Sequence, residues 1–127
     1  MLIAEIEQCI KENIESDLVK MNFLPLFCQG EDGSYQWHFR KENQNIRFME
    51  FEGEYIKVTF TLYGLKRPLG KEIFTMIPES TISDMAYGYH FCCKEELEKL
   101  LIRLKNVILT DGIVWMNTNC EKYRREK

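Results

Sequence analysis

The segment Ile56-Lys57-Val58-Thr59-Phe60-Thr61-Leu62 alternates apolar and polar side chains without a break. Because successive side chains of a β-strand point to opposite faces, the pattern predicts a strand that buries one of its faces. The turn sequence Glu52-Gly53-Glu54 comes just before it and indicates a hairpin with the preceding chain. We therefore expect a sheet with one clearly apolar face.

Other segments also have strand character. An upstream strand is indicated by the alternation of Tyr35, Trp37 and Phe39 with Gln36, His38 and Arg40. The run from Ile46 to Phe51 has apolar residues at both odd and even positions, so the sequence does not show which of its faces is buried. Short polar connections between these segments favour antiparallel pairing. A fourth strand is predicted at Glu72–Ile77 and a fifth at Met85–Phe91.

Amphipathic periodicity predicts a helix on each side of the strands. The first runs for about twenty residues, until Asn22 and Pro25 end it, and its apolar positions are Leu2, Ile3, Ile6, Ile10, Ile14, Leu18 and Met21. The segment Phe23–Cys28 is then expected to carry apolar side chains toward the core. The second helix is expected to end near Thr110-Asp-Gly112, and its apolar positions are Leu97, Leu100, Leu101, Leu104, Val107 and Ile108.

This order of elements is typical of the α+β class. A chain of 127 residues fits one domain, so residues 1–127 are predicted to form a single unit. It would hold an N-terminal helix, an antiparallel sheet of about four to five strands and a C-terminal helix, with the helices packed on one sheet face. Residues 117–127 are polar enough to fray or to form a short terminal helix.

Composition predicts a cytoplasmic protein. The acidic start of the chain does not resemble a secretory signal, and no uncharged apolar run approaches the length of a membrane span. Five cysteines at irregular spacing indicate reduced thiols rather than a disulfide framework. We therefore expect no contact with a membrane.

The charge of the chain is unevenly distributed. The formal net charge is −3, which is the wrong sign for a surface that binds nucleic acid through phosphate contacts. Up to Glu54 there are eleven acids against five Lys or Arg, whereas from Tyr55 onward nine acids face twelve bases. An acidic front half indicates either a solvated surface or an interface for a basic partner.

The cysteines and histidines do not form a recognisable metal motif. His90 and Cys92 share one parity of a strand, about 7 Å apart at the usual rise per residue, and no paired ligands at zinc-site spacing are present. No metal and no cofactor are therefore predicted. Cys93 stands where the second helix begins, a position that stabilises a thiolate, while Glu96 resembles the acidic residue of a capping box. Cys93 is therefore interpreted either as a structural cap or buried small residue, or as a nucleophile or redox sensor.

Catalytic motifs of hydrolases, zinc proteases and nucleotide-binding loops are absent from the sequence. The aromatic residues Tyr35, Trp37 and Phe39 could stack on bases, but that mode of binding requires interleaved basic residues. An aromatic face packed beneath the helices is the favoured interpretation.

The layout of the whole chain resembles a known group of bacterial proteins. The stretches that carry the resemblance are Asn-Phe-Leu-Pro at 22–25, Ser-Tyr-Gln-Trp-His-Phe-Arg at 34–40, and the run from Tyr89 to Leu101 closing on Trp115. In these respects the chain is similar to small domains of the DUF4304 type and to immunity proteins of polymorphic toxin systems. The resemblance implies a non-enzymatic protein that binds and neutralises a cognate toxin, often a nuclease. It carries no site residues over to this chain.

The acids around the predicted hairpin are the candidate surface for a basic toxin. The predicted partner-binding residues are the acids Glu31, Asp32, Glu50, Glu52 and Glu54, with Trp37 or Tyr55 as an aromatic anchor. The alternatives are a small enzyme or redox protein using Cys93, or a module that binds a small ligand. A homodimer through an exposed edge strand is also possible.

Overall fold

The computed structural model describes residues 1–30, 34–64, 67–77 and 88–125, with side chains as far as residue 122. It consists of a sheet covered on one face by helices. The elements are α1 (Ile3–Ile10), α2 (Ser16–Lys20), β1 (Leu24–Gln29), β2 (Tyr35–Lys41), β3 (Gln44–Phe51), β4 (Tyr55–Leu62), β5 (Leu69–Glu72), β6 (Tyr89–His90), α3 (Lys94–Val107) and α4 (Ile113–Arg125). The α+β class, the antiparallel sheet and the flanking helices are confirmed.

The strands pair in chain order, β1-β2-β3-β4-β5, and every pairing is antiparallel. The short strand β6 pairs with the beginning of β4, where Tyr55 lies opposite His90. Hairpins explain this simple order, because each short turn returns the chain beside the strand that it has just left. The strand predicted from Ile56 to Leu62 is therefore β4, inside the sheet.

The apolar face of the sheet carries the core. Phe39, Ile46 and Phe60 lie side by side across β2, β3 and β4, as the register of the strands requires. All three are buried, together with the apolar positions of the helices, including Ile10, Leu101, Ile108 and Met116. Burying this one face supplies most of the apolar area that stabilises the fold.

Both long helices pass through a π-helical segment. Lys11–Glu15 joins α1 to α2, and Ile108–Gly112 joins α3 to α4. In each segment a side chain donates to the carbonyl four residues earlier: Asn13 Nδ2 to Cys9 O at 2.8 Å, and Thr110 Oγ1 to Asn106 O at 2.7 Å. A wider turn disrupts the regular backbone bonding of an α-helix, and these side chains bond to the backbone at that point.

Two boundaries predicted near the C-terminal half of the chain are wrong. The second helix does not end near Thr110-Asp-Gly112, because the chain continues as α4 to Arg125. The fourth strand is Leu69–Glu72 rather than Glu72–Ile77, and Ile73–Met76 forms a 3-10 turn. Of the fifth strand predicted at Met85–Phe91, Tyr89–His90 forms a strand, whereas Gly88 and Phe91 lie outside it. Residues 78–87 lie outside the described part of the chain.

The segment Phe23–Cys28 also differs from expectation. Phe23 is buried, but the following residues form the strand β1 at one edge of the sheet. Leu24, Leu26 and Phe27 expose 70%, 56% and 43% of their surface. This segment therefore places apolar side chains in solvent rather than in the core.

Gly112 is required for close packing between helix and sheet. A Cβ atom added at Gly112 would lie 2.5 Å from Cζ of the fully buried Phe60 ring. Gly112, which in the sequence predicted the end of a helix, is therefore a position where the helix backbone comes close to Phe60 of the sheet.

We expect the substitution Gly112→Ala to destabilise the protein. Overpacking costs about 1–3 kcal/mol, whereas replacing a helical glycine by alanine contributes only about 1 kcal/mol in return. The free energy of unfolding from denaturant titration measures the balance. In the double variant Gly112→Ala/Phe60→Leu the smaller side chain makes room for the methyl group, so the combined cost should be less than the sum of the two single costs. Strict additivity would show that the Phe60 ring does not limit this position.

Candidate functional site

The turn between β3 and β4 presents two of the predicted acids to solvent. Glu52 and Glu54 are exposed, and between them Gly53 adopts a positive φ of 69°. A Cβ at Gly53 would approach the backbone oxygen of Met1 to 2.6 Å, so this position has no room for a side chain. The turn is therefore fixed, with its two flanking carboxylates directed outward.

Glu50 has a different place from its neighbours. It is only 3% exposed, and its carboxylate accepts hydrogen bonds from the Gly53 N–H at 2.9 Å and from the Tyr35 N–H at 3.3 Å. Buried carboxylates need such partners to offset the loss of hydration. Glu50, predicted as a partner-binding residue, is thus buried and holds the turn.

The beginning of α3 meets the same turn. The Phe91 N–H donates to the Glu54 carbonyl at 2.9 Å, and the Cys92 N–H donates to Glu96 Oε2 at 2.7 Å. The exposed residues Glu95 and Glu96 stand in the first turn of α3. Glu52, Glu54, Glu95 and Glu96 therefore lie at one end of the molecule, which we call the acidic end.

Cys92 lies beside this acidic end. Its Sγ atom is 3.8 Å from the ring nitrogens of His90. Desolvation and the nearby carboxylates of Glu96 and Glu54 raise the pKa of the Cys92 thiol. A raised pKa disfavours the thiolate form of Cys92.

Cys93 is the N-cap residue of α3, as the sequence indicates, but its side chain makes no capping hydrogen bond. Glu96 instead accepts from the backbone of Cys92, one residue earlier than a standard capping box would require. Within the described ranges, no three His, Cys, Asp or Glu side chains lie close enough together to hold a metal ion.

The predicted aromatic anchors differ in exposure. Tyr55 is half-buried, and its ring lies 5.2 Å from the ring of His90. Trp37 is 4% exposed and packs in the core beneath Phe27, with 5.7 Å between the ring centroids. Tyr55 is thus accessible next to the acidic end, whereas Trp37 is a core residue. Glu31 and Asp32 lie outside the described residues.

A second group of polar residues was not predicted from the sequence. On the sheet face opposite the helices, Arg47 donates to Thr59 Oγ1 at 3.4 Å, and Thr59 donates to Glu72 at 3.1 Å. Glu72 also pairs with Lys57 Nζ at 3.3 Å. These residues come from β3, β4 and β5, and the period-two alternation places them on one face once the register is known.

His38 extends this polar face onto β2. Its Nδ1 accepts from Asn45 Nδ2 at 3.0 Å, and its Nε2 lies 3.0 Å from Gln36 Oε1. Both contacts fit the neutral ring with its proton on Nε2. Burial of the imidazole, followed by the positive charges of Arg47 and Arg40, lowers the pKa of His38.

None of the helices in the described ranges is both long and apolar enough to cross a membrane. Comparison of the chain with protein-family models, with curated proteins and with solved structures found no match. The resemblance to immunity proteins therefore stays a prediction.

The lowered pKa of His38 predicts a loss of stability on acidification. Below the ordinary value of 6.5 the unfolded chain binds a proton more readily than the folded chain, so the free energy of unfolding falls as the pH drops from about 7 toward 5. One such proton contributes a slope of at most about 1.4 kcal/mol per pH unit. Denaturant titrations of the wild type and of His38→Gln across this range measure it. The variant should have the shallower slope, and equal slopes would exclude His38 as the cause.

Proposed function

We propose that this chain is a binding protein of the immunity type, which captures a toxin through a basic surface of that toxin. The observation that supports this most directly is the meeting of the β3–β4 turn with the start of α3, which gathers four exposed carboxylates. Acids so grouped create a local negative potential that single scattered acids do not.

The charges of the acidic end are available to a partner. The four carboxylates form no ion pair with the described residues, in contrast to Glu98, which pairs with Lys94, and Glu7, which pairs with Lys11. The N-terminal ammonium of Met1, which donates to the Gly53 carbonyl at 3.0 Å, offsets part of this charge, and the remainder attracts an oppositely charged surface.

Tyr55 gives the acidic end an apolar component. Its half-buried ring, braced by His90, lies next in sequence to Glu54. Interfaces commonly combine such an aromatic residue with a polar rim, and the aromatic residue often contributes most of the binding energy. The combination suits a protein partner better than a small anionic metabolite, which the carboxylates would repel.

Electrostatic attraction would serve an immunity protein through the rate of binding. A toxin has to be captured before it acts, and complementary charge raises association rates by factors of about 10–1,000. Two acids of the front half, Glu52 and Glu54, contribute to the acidic end, and Glu95 and Glu96 at the start of α3 add the other two.

The first experiment is to identify the partner. The tagged chain is purified gently from its own organism, and a native mass spectrum is recorded. We expect a stoichiometric complex with a second, basic protein whose activity the chain suppresses when the two are mixed. A partner that is not toxic, or whose activity is unaffected, would contradict the immunity role.

The acidic end is tested with the double variant Glu52→Lys/Glu54→Lys. Its association rate with the partner should fall at least about tenfold at low salt and lose most of its salt dependence. The control Asp111→Lys/Glu121→Lys makes the same change in net charge at exposed residues near α4 and should bind almost as the wild type does. If both double variants slow association equally, net charge matters and the acidic end does not.

A further inference from the structure

In the described part of the chain the strand β1 lies at an edge of the sheet, and its Pro25 is a residue of the kind that limits pairing with another strand. It pairs with β2 on one side, and the described part of the chain places no strand on the other. Its residues Leu24, Leu26 and Phe27 are among the most exposed large apolar side chains of the protein. Natural proteins usually protect an edge strand with charges or with a covering element, because free backbone groups readily pair with another strand.

The hydrogen bonds between β1 and β2 show which backbone groups of β1 do not bond to β2. The Gly30 N–H donates to Ser34 O at 2.7 Å, so these two residues form a hydrogen-bonded pair with β2. Along an antiparallel ladder, hydrogen-bonded pairs alternate with pairs that make no hydrogen bonds. The pairs Cys28↔Gln36 and Leu26↔His38 are therefore also hydrogen-bonded. The backbone groups of Phe27 and Gln29 therefore point away from the sheet.

Pro25 agrees with this assignment. It lies opposite Phe39, in a pair that makes no hydrogen bonds with β2, so its missing N–H costs the ladder nothing. The free edge of β1 therefore has two N–H donors, on Phe27 and Gln29, and three carbonyl acceptors, on Pro25, Phe27 and Gln29. These donors and acceptors can form hydrogen bonds with one additional short strand.

We propose that two copies of this chain pair through β1, antiparallel and about a two-fold axis at Phe27. In this register the N–H of each Phe27 donates to the carbonyl of Phe27 in the other copy. The N–H of each Gln29 donates to the carbonyl of Pro25 in the other copy. Four backbone hydrogen bonds join the copies, and because Pro25 has no N–H, the Gln29 carbonyl opposite it stays bonded to water.

The side chains of β1 favour a second copy as the occupant. On the helix side, Phe27 meets its own counterpart, an aromatic pair of the kind that stabilises strand pairing. On the other side, Leu26 comes opposite Cys28, which covers apolar surface with apolar surface. Pairing about a two-fold axis also closes on itself, whereas joining β1 to a different edge would build an open chain of molecules.

The groove beside β1 supports self-association as well. It has a volume of about 210 Å³ and runs between β1 and the N-terminal helix, where Glu7, Lys11 and Glu15 line it. Both signs of charge are present, and Lys11 already pairs with Glu7 at 3.2 Å. A surface of mixed charge does not repel its own copy as a uniformly acidic one would. The inference is independent of the proposed function, because the acidic end uses other residues.

The mass of the protein in solution tests the pairing. A chain of 15.2 kDa should shift toward twice that mass as its concentration rises from about 1 µM to about 1 mM, the range expected for a small interface. Light scattering after gel filtration, or sedimentation equilibrium, measures the shift. A mass of 15.2 kDa at every concentration would overturn the proposal.

Hydrogen exchange identifies the surface used. The amides of Leu26 and Cys28 should be protected at all concentrations by β2, whereas those of Phe27 and Gln29 should gain protection only as the dimer forms. Protection of Phe27 and Gln29 that appears only when a different protein is added would assign the edge to that protein and overturn the pairing of copies.

Two variants complete the test. Gln29→Pro removes one outward N–H without touching the ladder to β2, and Leu26→Lys adds a charge at the exposed edge; each should weaken the dimer at least about tenfold. Val114→Lys is the matched control, since Val114 is an apolar residue 63% exposed on α4. Circular dichroism shows whether each variant is folded. A dimer that survives both β1 variants in folded form would place the interface elsewhere.

Discussion

The contact between Phe60 and Gly112 sets the distance between the sheet and the helices that cover it. Phe60 stands at the centre of β4, and the absence of a side chain at Gly112 lets the π-helical segment come against its ring. With the helix so close, the core closes around Phe60 without leaving a gap, as protein interiors require. The direction in which α4 leaves this contact follows from the same approach.

Covering one face of the sheet decides what the other face contains. The helices cover most of the apolar positions of β2, β3 and β4, and the opposite face carries Met49 and Phe51 together with Arg47, Thr59 and His38. Crowded polar side chains with little access to water must satisfy one another. Two groups of contacts result, one around His38 and one from Arg47 to Glu72. Burial of the imidazole lowers the pKa of His38, the hydrogen bond with Asn45 opposes the shift, and the positive charges of Arg47 and Arg40 add to it. The pH response of the fold thus originates in its layer arrangement.

The sequence predicts the parts of the fold that depend on local periodicity. The strand Ile56–Leu62 and the first amphipathic helix are found where alternation and helical spacing place them. The predictions that failed rest on residue patterns that can have two different structural causes. A glycine often marks the end of a helix, but Gly112 lies inside one and allows the helix backbone to approach the sheet. An apolar run often lies in the core, but that of β1 lies at an exposed edge.

The candidate site is harder to predict because its residues are distant in sequence. Glu52 and Glu54 were singled out as neighbours along the chain, whereas their proximity to Glu95 and Glu96 depends on the Phe91 N–H reaching Glu54. The burial of Glu50 depends equally on three-dimensional packing, since two backbone N–H groups converge on its carboxylate. Composition indicates an acidic front half, and only the fold shows which acids remain outside.

The grouping of acids at one end has a structural explanation as well as a functional one. The N-terminus of α3 carries partial positive charge, so Glu95 and Glu96 stabilise the helix whether or not a partner exists. Glu52 and Glu54 flank Gly53, whose carbonyl accepts a hydrogen bond from the N-terminal ammonium of Met1 at 3.0 Å, so one positive group of the chain offsets part of their mutual repulsion. Neither side chain makes an ion pair with another described residue, and it is this exposure that supports the proposed attraction to a basic partner. The two turn residues are for that reason the ones whose replacement separates binding from folding.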